Sequence, residues 1–92
     1  MIPKTIQILG REYKIRRRRM KDYAGVDPDA RIIWIRSGVN DETARECLLH
    51  EVLHAILHQS GNNYQLDAKQ EEAIVRSIEH GLTQAGYGLH VE

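Results

Sequence analysis

The chain has 92 residues, with 41% hydrophobic and 28% charged, enough for one compact domain with a modest core and too few for a two-lobed enzyme with a deep cleft. Its single cysteine, Cys47, excludes an internal disulfide. No apolar run reaches the length of a membrane span and the start lacks a secretory pattern, so a reducing cytoplasm is the expected compartment.

The net charge of zero conceals a split. Residues 1–36 carry ten Lys or Arg against four acids, and residues 37–92 carry three against nine. Such a dipole suits an anionic partner for the first third or complementarity within the fold. Only Arg16 to Arg19 is dense, which favours the second.

In chain order, Thr5 to Leu9 has near-alternating apolar residues, Gly10-Arg11 supplies a turn, and Glu12 to Arg16 alternates again, so the opening is expected to form a β-hairpin. Arg16 to Arg19 puts long side chains on both faces, which suits an exposed edge or a strand running past the sheet. Residues 20–30, containing Gly25 and Asp27-Pro28-Asp29, read as a loop. Arg31 to Arg36 is β-branched and apolar on both faces and reads as a third strand, at least partly sandwiched.

A helix is expected to open at Asn40 or Asp41 and run over about 41–60 to Gly61. At 100° per residue, Leu48, Leu49, Val52, Ala55 and Ile56 gather in one stripe with Leu53 at its border. His50 and His54 lie nearly opposite its centre. After the loop from Gly61 to Gln65, Asp67 and Gln70 form a capping-box pattern for a second helix over about 67–85, with Ala68, Ile74, Val75, Ile78, Leu82 and Ala85 as its apolar face. The tail, Tyr87 to Glu92, carries no clear signal. The expected class is α+β: a small three-stranded, mostly antiparallel sheet packed on two helices.

The stretch His50-Glu51-Val52-Leu53-His54 carries the chemistry. Positions four apart on a helix lie one turn above each other, so both imidazoles can reach one ion, with Glu51 flanking them; this is the HExxH pattern of zinc peptidases. Catalytic zinc takes three protein ligands, so one more is needed. His58 is another turn away and out of reach, and Ile56 and Ser60 stand where the metzincin layout requires Gly and His. The second helix offers Glu71 and Glu72. Periodicity places Glu71 at the centre of the apolar stripe, where an unpaired carboxylate is costly, and Glu72 at its border.

With the Ile6 to Gly10 opening, the Leu48-Leu49-His50-Glu51 approach and Glu71-Glu72 before Ile74-Val75, the layout resembles the gluzincins, and among them the minigluzincins and the small HExxH proteins of phage genomes. The resemblance implies a zincin-like fold and a Zn²⁺-dependent metallopeptidase, with His50, His54 and Glu72 as metal ligands and Glu51 as general base. Glu72 is favoured because Glu72-Ala73-Ile74 matches the family's Glu-Ala-Ile. One departure stands out: Arg76 occupies the position of the family's histidine-orienting Asp, so that orientation must come from a backbone carbonyl or another acid.

Tyr64, Tyr87 and His80 are candidates for oxyanion stabilisation, and Cys47, one turn before His50, for a metal role or a buried thiol. The expected partner is a peptide or protein lying extended along a sheet edge, with Arg31 to Arg36 as the candidate edge. A non-catalytic zinc-stabilised interaction module is the alternative. Nucleic acid ranks last, because the basic third shows no interleaved aromatics beyond Tyr13 and Tyr23.

Overall fold

The computed structural model describes residues 2–88, leaving residues 89–92 of the unassigned tail outside the description. Four strands, β1 (Thr5–Ile8), β2 (Arg11–Arg18), β3 (Ala24–Asp27) and β4 (Ile32–Arg36), precede α1 (Asp41–Gln59), a 3-10 turn (Asn62–Gln65) and α2 (Ala68–Gln84). The fold is α+β, as the sequence suggests, but the sheet has four strands and is mixed, in the order β1-β2-β4-β3.

β1 and β2 form the expected hairpin, with Ile8 opposite Arg11. The turn is therefore Leu9-Gly10, one residue earlier than the composition suggests, and both residues have positive φ (49° and 80°). Two left-handed residues match the twist of the flanking strands, a geometry that favours Asn-Gly. A leucine there is strained by roughly 1 kcal/mol or more, and it is exposed. Leu9→Asn is accordingly expected to raise stability by about 0.5–1 kcal/mol, measured by urea denaturation.

Residues 24–27 are a strand rather than a loop. Ala24-Gly25-Val26-Asp27 lacks the composition of an independent strand and is held by antiparallel pairing to β4, through a turn in which the Asp27 Oδ1 accepts from the Ala30 N–H at 3.1 Å. β3 occupies the outer position, which leaves β4 to insert beside β2 in parallel, Ile15 opposite Ile33 and Arg17 opposite Ile35. One expectation fails as a result: the Arg31 to Arg36 stretch is paired on both sides and cannot serve as an edge. Arg16 to Arg18 run past β1, whose pairing ends at Thr5 opposite Lys14, and pair with β4 on one side only; the outer strands are β1 and β3.

Alternation along the strands buries Ile8, Tyr13, Ile15, Ile33 and Ile35 on one face, against Ala44, Leu48, Val52 and Ala55 of α1. Arg17 ties the end of β2 to the start of α1, donating to the Val39 carbonyl at 2.8 Å and pairing with Asp41 at 3.3 Å. The Asn40 side chain caps α1 by accepting from the Thr43 N–H. The capping box of Asp67 and Gln70 is complete in α2.

α2 packs on the other side of α1, where Leu49 and Leu53 meet Val75. Its apolar face is much less covered than periodicity implies: among the described residues of α2 only Val75 is buried, and Ile74 and Ile78 are 36% and 42% exposed. No helix among the described residues is long and apolar enough to cross a membrane.

Candidate metal centre

α1 lies between two layers, so its sheet-facing stripe fixes the rotation of its opposite side. His50 and His54, one turn apart on that side, face α2. Their Nε2 atoms stand 3.2 Å apart. Glu72 of α2 closes the triangle, with one carboxylate oxygen 3.0 Å from His50 Nε2 and the other 3.0 Å from His54 Nε2. These three residues bring ligand atoms within 4.8 Å of one another and can hold a metal ion.

The donor set fits that use. Ligand atoms about 2.0–2.1 Å from one tetrahedral ion lie about 3.3 Å apart, close to the spacing found here. Three lone-pair donors converging on one point repel unless a positive charge lies among them. The other side of each ring points the same way: His50 Nδ1 is 2.6 Å from Glu79 and His54 Nδ1 is 2.5 Å from Glu71. With each Nδ1–H donating to a carboxylate, each Nε2 lone pair is turned toward the common point.

The two adjacent glutamates take different places around the group that could hold an ion. Glu72 joins the triad, whereas Glu71 orients His54 from behind, which is also how a carboxylate can stand on the packed face of α2. Glu79, not singled out in the sequence, does the same for His50. Its signal was present: it follows Glu72 by seven residues, two turns along the same face. Together Glu71 and Glu79 supply what Arg76 cannot at the expected Asp position. Arg76 instead donates from Nε to Glu72 at 3.0 Å. Partial burial pushes the Glu72 pKa up, but the Arg76 hydrogen bond and the two histidines outweigh it and hold the carboxyl below its ordinary value. Glu71→Ala and Glu79→Ala should each lower zinc affinity about 10–100-fold without removing the site, by titration against a competing chelator.

Glu51 differs from every other acid here. It is 9% exposed, and neither of its oxygens has a hydrogen-bond partner among the described residues. Burial raises its pKa, opposed only in part by His54 and His50. It belongs to the walls of two openings that also share His50 and Glu72. One is a cleft of about 660 Å³ bounded by Tyr23, Ala24, Cys47 and Arg76; the other, of about 320 Å³, is bounded by Val26, Pro28, His54 and Glu71. The candidate site thus sits where two adjoining recesses share His50, Glu51 and Glu72, with Ala24 and Val26 of β3 on their walls.

The remaining candidates separate clearly. Tyr64 and Tyr87 are 87% and 70% exposed and His80 is exposed on α2; none of the three lines either opening. His58 borders the smaller recess but stands outside the triad. Cys47 is half-buried in the cleft wall, where burial and then the negative charge of Glu51 and Glu46 push its pKa up. It does not belong to the group of donors that could hold an ion. Compared with protein-family models, curated proteins and solved structures, the chain matches none.

Proposed function

We propose that this protein is a zinc-dependent peptidase, with His50, His54 and Glu72 as ligands and Glu51 as general base. The observation that carries this reading is the three-donor group beside a largely buried carboxylate that accepts no hydrogen bond among the described residues, all four residues lining the smaller recess. A purely structural site has no use for such a carboxylate, whose burial is a cost to the fold.

Zinc held by His50, His54 and Glu72 would supply Lewis acidity to the scissile carbonyl and to the hydrolytic water. Glu51 would take a proton from the attacking water onto its carboxylate and pass it to the leaving amine nitrogen. Its raised pKa makes it a better base than an ordinary glutamate, and activity should fall as acidification protonates it. Glu71 and Glu79 hold the histidines in register throughout.

An extended peptide is the substrate class this geometry suits. The Arg36 N–H donates to the Tyr23 carbonyl, so by antiparallel alternation the backbone groups of Ala24 and Val26 point to the free edge of β3. Ala24 borders one recess and Val26 the other. A peptide paired there would cross the metal centre, with side chains entering recesses on either side.

The test is hydrolysis of a mixed fluorogenic peptide library by zinc-loaded protein. Cleavage that stops on chelation and returns with zinc is expected; its absence in protein shown to hold stoichiometric zinc would overturn the assignment. The alternative, a non-catalytic zinc-stabilised interaction module, draws its support from the thin apolar contact of α2, which leaves the metal residues to dock it.

A further inference from the structure

Both helices pack on one side of the sheet, and no described element covers the other. Strand alternation puts Lys14, Arg16 and Arg18 of β2 on that open face together with Ile32, Trp34 and Arg36 of β4. The parallel register sets Lys14 beside Ile32, Arg16 beside Trp34 and Arg18 beside Arg36. Lys14, Arg16 and Arg18 are exposed and Trp34 is half-buried. The Arg18 guanidinium lies over the indole, 4.2 Å from its centroid, and that of Arg36 lies over the Tyr23 ring at the same distance. The acids on this face are Glu12 and Asp27, beside Gln7 and Ile32 at the far end of the rows.

From sequence the basic segment lacks interleaved aromatics; the fold provides them by laying β4 against β2. We propose that this face binds single-stranded nucleic acid, with bases stacking on Trp34 and phosphates engaging Lys14, Arg16 and Arg18. Four cations in two adjacent rows match a phosphodiester backbone in charge, and an aromatic platform on an open sheet accepts any base. A cation–π contact at an exposed site is weak enough for Arg18 to exchange it for a phosphate. A second copy is disfavoured, since two such faces repel. A duplex is disfavoured because its bases are not free to stack. An anionic membrane fits less well, because Ile32 is the one aliphatic side chain in these rows and it is half-buried. This function is independent of the metal centre on the helical side.

The probe is a fluorescein-labelled oligothymidylate of about twelve nucleotides, titrated with the full chain and read by anisotropy and by the emission of Trp34, the only tryptophan. Binding should quench Trp34, and raising salt from 50 to 200 mM should weaken it about 20-fold, as expected for three phosphate contacts on a single strand. Arg16→Glu and Trp34→Ala should each weaken binding tenfold or more. Lys69→Glu, the same charge change on exposed α2, should leave it unaltered. Arg16 is exposed, so its variant keeps the test intact if Trp34→Ala disturbs the sheet, with circular dichroism as the check. No binding, binding without quenching of Trp34, an equal loss with Lys69→Glu, or a stronger affinity for the duplex or for phosphatidylserine vesicles would each overturn the proposal.

Discussion

Glu51→Gln protein is expected to retain one zinc per chain and to hydrolyse peptides about 10²–10⁴-fold more slowly, the range lost when a general base is removed. Zinc is retained because Glu51 is not among the three converging donors. Unimpaired hydrolysis by the variant would end the assignment of Glu51 as the base.

The same substitution should make the metal-free protein more stable at neutral pH, by roughly 1 kcal/mol, the scale of relieving a largely desolvated charge, or about 4–8 °C in a domain of this size. The sign follows from the direction of the pKa shift. Burial raises the Glu51 pKa in the folded chain, so the folded state holds that proton more tightly than the unfolded one. Stability from this group is present below the ordinary carboxylate pKa and is lost as pH rises through the raised folded value. Gln carries no charge to desolvate, so the variant's advantage should vanish in acid, where the wild-type carboxyl is already neutral. The wild-type rate should also fall in acid, but at lower pH than the metal-free melt indicates, because the ion's charge favours the Glu51 carboxylate. A variant less stable than wild type at neutral pH in the metal-free state would contradict the assigned cost.

What the sequence disclosed depended on the range over which each residue acts. His50, Glu51 and His54 were legible because one helical turn fixes their relation and the stripe of α1 fixes their direction. Glu72 was narrowed by resemblance and needed the packing of α2 to separate it from Glu71. Glu79 was passed over because its role exists only once α2 runs antiparallel to α1, bringing a residue late in the second helix to one early in the first motif. β3 was missed because its residues have turn composition and owe their conformation to β4. The open basic face was missed for a related reason: Arg16 and Trp34 are 18 positions apart and become neighbours only through a parallel pairing that hairpin logic does not anticipate.

Removal of the metal is expected to loosen α2 while leaving the sheet and α1 folded. The core under the sheet is complete without the site: Tyr13, Ile33, Ile35 and Leu48 are fully buried, and none touches the metal residues' side of α1. α2 has no comparable anchorage. It contributes Val75 to a small cluster with Leu49 and Leu53, flanked by Ile56 and Leu57, and its polar links to α1 among the described residues are the contacts of Glu71, Glu72 and Glu79 with His50 and His54. Those links place three carboxylates around two histidines, and without an added positive charge the acids repel one another. Zinc at about 100 times its dissociation constant stabilises the form that binds it by about 2.7 kcal/mol, or about 10–20 °C for a domain of this length. Chelation should remove that increment, and amide hydrogen exchange should show where: protection is lost along α2 and kept in β2, β4 and α1. Uniform loss across the sheet would instead mark the metal as a requirement of the whole fold and favour the interaction module over the peptidase. Loss confined to α2 leaves a rigid HExxH helix on a stable sheet, closed by a helix that the metal itself docks.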